Sequence, residues 1–324
     1  MASRILLTGA AGFIGSHLAE RLLARGDRVV GVDNFDPFYD PAEKRANVAE
    51  ALRHEDYRLI EADCAQPEAL HAALADEAFD VVVHLAAKAG VRPSIAEPTA
   101  YARANVLATQ AMLELAARHG IDRFIFGSSS SVYGDARKVP FSEDDPVDRP
   151  ISPYAATKRA GELLCRTHQH LYGGYVCALR YFTVYGPRQR PDLAIRAFAE
   201  RMLRGLPITV FGDGSSERDY TWIDDIVDGT VAAIDRAAAG IEGFEVMNLG
   251  GSRTTSLARL VELIAAATGR QPEVVRLDEQ PGDVRRTHAD TARAAELLGF
   301  RPSVAVEEGI PRMVAWLVDR ERAS

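Results

Sequence analysis

Short, continuously apolar runs alternate with amphipathic stretches along the first 182 residues of the chain. Arg4 to Thr8, Val29 to Val32, Val81 to Leu85, Arg123 to Phe126 and Val176 to Tyr181 are each four to six residues long. A run that is apolar at successive positions is the mark of a strand covered on both faces. Between them the apolar positions recur at helical spacing, as in Leu18, Leu22 and Leu23, in the alanine- and leucine-rich stretch from Thr99 to Arg118, and from Tyr154 to about Tyr172. Tyr57 to Glu61 adds a more polar strand, and Pro41 to Ala49 a polar helix. Strands alternating with helices predict an α/β fold with a doubly wound parallel sheet and right-handed crossovers.

The alternation loosens after residue 182. Residues 183–192 and 212–220 read as loops carrying Arg188, Arg190 and Arg218, separated by a helix to Arg204 and a short strand at Ile208 to Phe211. Ile223 to Ala237 and Glu245 to Leu249 predict a helix and strand that return to the sheet. A helix from Ser256, a strand near Val274 and two closing helices complete the chain. The expected division is 1–182 with 221–250 as a dinucleotide-binding domain, and 183–220 with 251–324 as a smaller α/β substrate-binding domain.

Chemistry enters at the loops that follow the strands. Gly9-Ala10-Ala11-Gly12-Phe13-Ile14-Gly15 sits between the first strand and the first helix, where glycines let the backbone approach a pyrophosphate at the helix N-terminus. Asp33 ends the second strand, 18 residues after Gly15. An acid there accepts the hydroxyls of an adenosine ribose and repels a 2′-phosphate, which favours NAD over NADP. Asn34 adjoins it. Asp63 and Cys64 follow the third strand, with Asp63 placed to meet an adenine edge. Leu85, Ala86, Ala87 and Lys88 follow the fourth, their small side chains leaving room for a flat cofactor, and Asn105 on the long helix completes the cofactor candidates. His84 is expected to be a satisfied core histidine.

Tyr154 and Lys158, four apart at the start of a helix, share one helical face. A free phenol has a pKa of about 10, and a neighbouring ammonium is expected to lower it and make the pair a general base. Ser128 to Ser131 lie at the carboxyl end of a central strand, where α/β sheets place their ligands.

Composition narrows the partners. Apolar residues make up 47% and charged residues 26% of 324, with a net charge of −8 and no basic run. Neither nucleic acid nor an anionic membrane is a natural partner for such a surface, and no apolar run reaches the ~20 residues of a membrane span. The three cysteines, Cys64, Cys165 and Cys177, show no metal-ligand spacing. They are expected to be reduced residues of a cytoplasmic protein that holds no metal. The strand that begins just after Met1-Ala2-Ser3 leaves no room for a signal peptide.

The segments GAAGFIGSH, HLAAKAG, SSSSVYG, SPYAATK, RYFTVYGPRQRPD, FGDGSSERDYTWIDD and PGDVRR together resemble the extended short-chain dehydrogenase/reductases, and among them the nucleotide-sugar 4-epimerases, over essentially the whole chain. That resemblance implies a Rossmann-type sheet and NAD held by Gly9, Gly12, Phe13, Ile14, Gly15, Asp33, Asp63, Tyr154 and Lys158. It implies Ser129, Tyr154 and Lys158 as the catalytic set. Arg218, Asp283 and Arg286 are then expected on the uridine diphosphate, Thr209, Val210 and Phe211 beside the base, and the protein as a homodimer built on the helices from Thr99 and Tyr154.

Several family reactions begin with the same oxidation at C4. A 4,6-dehydratase and a glucuronate decarboxylase of this group carry carboxylates just before VYG, where this chain has Ser130 and Ser131. An epimerase is left. The DNFDPFYDPAEKR stretch, and Thr183 with Arg190 seven residues on, resemble the UDP-glucuronate 4-epimerases. Arg190, with Thr183, Ser130 and Ser131, is assigned to the C6 carboxylate, because a guanidinium holds a carboxylate through two parallel hydrogen bonds. Arg92 is a second candidate. The rival substrates are UDP-glucose/UDP-galactose and UDP-N-acetylhexosamines, and the rival class is a non-catalytic NAD-binding protein on the same fold. Lys88 and Gly127 depart from the family pattern, and Lys88 is expected to add charge near the nicotinamide ribose.

Overall fold

A computed structural model describes residues 2–75, 77–278 and 284–323. Strand β1 (Arg4–Thr8) leads into helix α1 (Phe13–Ala24), followed by β2 (Arg28–Asp33), α2 (Pro41–Val48), β3 (Tyr57–Glu61), α3 (Pro67–Leu74) and β4 (Val81–His84). Two short helices, α4 (Val91–Ala96) and α5 (Pro98–Ala102), precede α6 (Ala108–Arg118). Then come β5 (Arg123–Ser129), α7 (Pro153–Tyr172), β6 (Tyr175–Tyr181), β7 (Thr183–Tyr185), α8 (Ala194–Leu203), β8 (Ile208–Phe211) and β9 (Glu217–Trp222). Helix α9 (Ile223–Ala238), β10 (Gly243–Leu249), β11 (Thr254–Ser256), α10 (Leu257–Thr268), β12 (Val274–Leu277), α11 (Ala292–Leu298) and α12 (Val306–Ala323) complete the described chain.

Seven strands form one sheet in the order β10-β6-β5-β4-β1-β2-β3, every neighbouring pair parallel. The apolar runs are explained by their two buried faces. Ile5, Leu7, Val29, Val83, Ile125 and Leu179 pack beneath α1 and α9, while Leu6, Val30, Val82, Phe124, Phe126 and Val176 face the side covered by α3, α6 and α7. Each such side chain contributes roughly 1.5–3 kcal/mol on burial, so both faces carry the sheet. Chain order reverses between β1 and β4, and such a switch point opens a crevice at the carboxyl ends of the strands.

Beyond the sheet, β7, β9 and β11 make a three-stranded sheet and β8 pairs with β12. The sequence pattern read 183–192 and 212–220 as loops. Three-residue β7 is too short to show a period, and β9 carries Glu217, Arg218 and Asp219 in succession. The long helix expected from Thr99 is broken by a wider π turn at Arg103–Leu107. That turn carries Asn105, which is buried and gives both ends of its amide to local partners: it accepts from Lys88 N at 2.8 Å and donates to Lys88 O and Thr157 Oγ1, each at 2.9 Å. His84 is a core residue, as expected, bonded to Thr8 Oγ1 at 2.7 Å and Thr109 Oγ1 at 3.2 Å, and burial lowers its pKa to about 3. All three cysteines are free and buried. Among the described residues no helix is long and apolar enough to cross a membrane.

Candidate active site

Two connected hollows occupy the switch point. The larger encloses about 440 Å³ and is walled by the glycine loop, by Leu85 and Ala87 after β4, by Ser128 to Ser131 after β5, and by Tyr154 and Lys158 of α7. Thr183, Arg190 and Arg218 close it from the other side. The smaller, about 150 Å³, takes in Asp33, Asn34, Asp63, Cys64, Ala86 and Lys88. Gly9, Gly12, Phe13, Leu85, Ala87 and Arg190 border both.

The glycine loop has no room for side chains. A Cβ on Gly15 would stand 2.0 Å from Gly9 O, and one on Gly9, whose φ is +71°, would stand 2.8 Å from Ala86 N. The β1 and β4 loops therefore pack backbone against backbone at Gly9 and Ala86, leaving a cradle at the start of α1, where a pyrophosphate is bound best. Asp33 caps the far side. Its carboxylate accepts from Ala11 N at 3.0 Å and Phe35 N at 2.8 Å, which fixes the side chain while burial raises its pKa. The donor set and the cradle fit a dinucleotide.

Tyr154 and Lys158 stand on α7, whose N-terminus is capped by Ser152 Oγ accepting from Ala155 N at 3.1 Å. The Tyr154 pKa is raised, not lowered as expected, because burial outweighs the opposing influence of a hydrogen bond with Ser129 and the positive charge of Arg190. Lys158 donates to Gly127 O at 2.7 Å, and burial lowers its own pKa to about 8. The sequence expectation gave the lowering of the phenol to Lys158. Its ammonium is directed at a main-chain carbonyl, and the influences that lower Tyr154 are Ser129 and Arg190. Gly127, left unexplained by the sequence, leaves room for a neighbouring side chain: a Cβ there would lie 2.9 Å from Leu85 Cδ2, so Leu85 would have to shift.

Behind the serines lies a buried network that the sequence reading missed. Ser128 Oγ donates to Glu162 Oε1 at 2.6 Å, Arg180 grips Glu162 through Nε at 2.8 Å and Nη2 at 2.9 Å, and Arg180 Nη1 reaches Tyr133 OH at 2.9 Å. Glu162 lies one turn beyond Lys158 on α7, so the network pins the serine loop to the helix that bears Tyr154. The available signal was Arg180 itself, a charge inside an otherwise apolar strand. Asp36 and Tyr39 of the β2–α2 loop and Lys44 of α2 also line the smaller hollow, and the Tyr39 hydroxyl is buried without a hydrogen-bond partner among the described residues.

Other expected residues are already partnered within the protein. Lys88 lines the smaller hollow and pairs with Asp36 at 3.3 Å. Asp63 is paired with Arg103 at 2.6 Å. Arg92 stacks on the Phe211 ring at 4.3 Å; Arg92, Thr209, Val210 and Phe211 are not walls of the main hollow. Arg286 pairs with Glu217 at 2.8 Å, also away from it. Asp283 lies outside the described residues.

A parallel sheet with a glycine cradle, a ribose-side acid and a Ser-Tyr-Lys set defines a dinucleotide-dependent enzyme site of the short-chain type. Residues 5–250 match the model of the NAD dependent epimerase/dehydratase family, and the chain belongs to that family. It is 39% identical over 312 residues to a UDP-glucuronate 4-epimerase of Thermodesulfobacterium geofontis, covering 96% of this chain and 95% of that one. Among solved structures, UDP-glucuronic acid 4-epimerase from Bacillus cereus, in complex with UDP-glucuronic acid and NAD, is 38% identical with a TM-score of 0.91, covering 98% of this chain and 99% of that chain. UDP-glucose 4-epimerase from Thermotoga maritima, with UDP-glucose, is 33% identical with a TM-score of 0.88, covering 99% and 100%.

Proposed function

We propose that this chain is an NAD-dependent 4-epimerase of UDP-sugars whose substrate is UDP-glucuronate, interconverted with UDP-galacturonate. One observation carries the choice. The described residues of the main hollow include no carboxylate, yet they include Lys158, Arg190 and Arg218, in a protein of net charge −8. A cationic hollow in an acidic protein suits a substrate that is anionic at both ends, with a diphosphate at one and a carboxylate at the other. The same absence of acids argues against a 4,6-dehydratase, which needs an extra acid/base pair to take a proton from C5 and expel the C6 hydroxyl. The names of the relatives at 38–39% identity agree with the uronate reading.

NAD, held by the glycine cradle and Asp33, would supply the acceptor for the C4 hydride and its donor on the return. Tyr154 takes the proton of the C4 hydroxyl as the 4-keto sugar forms and gives it back after the sugar has turned over, with Ser129 holding the same oxygen. Lys158, tied to Gly127 O, keeps a positive charge under the site. Arg190, with Ser130, Ser131 and Thr183, holds the C6 carboxylate. A 4-keto uronate is a β-keto acid, and it loses CO2 only when the carboxylate bond aligns with the carbonyl π system; a carboxylate held out of that alignment survives.

Arg190→Ala tests this reading. A charge-assisted hydrogen bond is worth about 1.5–3 kcal/mol, so the KM for UDP-glucuronate should rise roughly 10- to 100-fold, with a much smaller change for UDP-glucose. Both sugars should lose some kcat, because the same charge lowers the Tyr154 pKa. Equal KM changes for the two sugars would remove Arg190 from the carboxylate site.

A further inference from the structure

The residue assigned to the carboxylate is itself held by a carboxylate. Arg190 donates from Nε to Asp192 Oδ1 at 2.9 Å and from Nη2 to Asp192 Oδ2 at 2.6 Å, a bidentate pair along one edge of the guanidinium. The Phe38 ring lies 5.0 Å from Arg190 Cζ and covers one face of it. Arg190 keeps 15% of its side chain exposed and borders both hollows, whereas Asp192 is 36% exposed and borders neither. Asp192 thus grips the guanidinium from the solvent side. A guanidinium has five N–H donors, of which Asp192 takes two, and Nη1 makes no hydrogen bond among the described residues. The edge formed by Nη1 and Nη2 remains. Nη2 also lies beside Gly90, and Gly90 and Arg190 both wall the main hollow, whereas Asp192 does not.

We propose that Asp192 is a specificity-determining positioning residue, which presents the open edge of Arg190 to a substrate carboxylate. The inference rests on the uronate reading and adds to it the source of its geometry. An arginine on a flexible stem carries about 2 kcal/mol of rotamer entropy, and an untethered Arg190 would have to give that up each time it met a substrate. Asp192 and Phe38 fix the side chain beforehand, and preorganisation of this kind raises affinity without any new contact. The loop that bears the pair is anchored independently. Gln189 Nε2 donates to Val184 O at 2.9 Å, Arg196 Nη1 donates to Gln189 O at 2.7 Å, and Leu193 N closes a turn onto Arg190 O at 3.2 Å. Loss of the Asp192 carboxylate leaves these contacts in place.

The test compares Asp192→Ala and Asp192→Asn, each alone and with Arg190→Ala, on UDP-glucuronate and UDP-glucose, with bound NAD and melting temperature measured for every variant. Asp192→Ala should lower the ratio of kcat/KM for UDP-glucuronate over UDP-glucose about tenfold, with the loss residing in KM. Asp192→Asn retains one acceptor for the guanidinium and should lose distinctly less. In the Arg190→Ala background, removing Asp192 should change the ratio no further, as expected for two residues acting through one contact. An unchanged ratio, a fall in KM for UDP-glucuronate, or equal losses for both sugars would each overturn the proposal. If the unmodified protein converts UDP-glucose but not UDP-glucuronate, the uronate reading fails and this inference with it. If it converts UDP-glucuronate and the ratio ignores Asp192, the inference alone fails.

Discussion

Replacing Tyr154 with phenylalanine is expected to leave NAD bound and to cut turnover by about 10³-fold, in the middle of the range for removing a positioned acid/base group. The ring is held independently of its hydroxyl, edge-on to Tyr101 with centroids 6.2 Å apart, so Tyr154→Phe preserves the wall of the hollow. What disappears is the group that, in the proposed mechanism, takes and returns the C4 proton. Ser129 cannot replace it. Its Oγ already accepts from Ser131 Oγ at 2.9 Å, and an aliphatic hydroxyl is a far weaker acid than a phenol. Bound NAD measured by absorbance after gel filtration, beside turnover of UDP-glucuronate, separates the two effects. Turnover within a few-fold of normal would contradict the assignment of Tyr154.

Lys158→Met is expected to abolish most turnover and yet to stabilise the protein freed of NAD at neutral pH. Lys158 is 5% exposed, and burial brings its pKa from 10.5 to about 8. Between those values the folded protein binds fewer protons than the unfolded chain, so stability rises as pH climbs from 8 towards 10.5, and the full cost of the buried charge is present below pH 8. At 1.36 kcal/mol per unit this cost is about 3 kcal/mol. Methionine removes it, but leaves Gly127 O without its donor, which returns about 1–2 kcal/mol. The net gain of about 1–2 kcal/mol corresponds to a rise in Tm of several degrees at pH 7, and it should shrink or reverse by pH 10. Thermal melts of both proteins across that range check it. A difference in Tm that ignores pH would show that packing, not the charge, separates them. Such a result would mark the buried ammonium as a stability cost that the proposed mechanism explains.

The large sheet was legible because both its faces are buried, so its strands appear as unbroken apolar runs whose order and spacing leave few topologies. The cradle and the Tyr-Lys pair were legible because glycine spacing and a four-residue helical spacing are local. Long-range partners were not. Nothing in the spacing of Glu162, Arg180 and Tyr133 says that they meet, and nothing about Lys158 says that its ammonium is directed at Gly127 O, 31 residues away. The π turn at Arg103–Leu107 is invisible in an alanine-rich helical pattern, since its benefit is the seat it gives Asn105 between Lys88 and Thr157. Asp192 stands only two residues from Arg190, yet a local pair with no helical or strand period around it gives no sign of which edge of the guanidinium it occupies.

The most direct test of the whole account is a proton NMR time course of the purified protein with UDP-glucuronate and no added NAD. Appearance of UDP-galacturonate anomeric signals, without UDP-xylose or a UDP-4-keto-pentose, is the predicted result. It would show 4-epimerisation, a uronate pocket that protects the keto acid, and a cofactor carried by the protein. No conversion of UDP-glucuronate even after NAD is supplied, alongside conversion of UDP-glucose or UDP-N-acetylglucosamine, would contradict the uronate assignment and leave only the chemistry at C4.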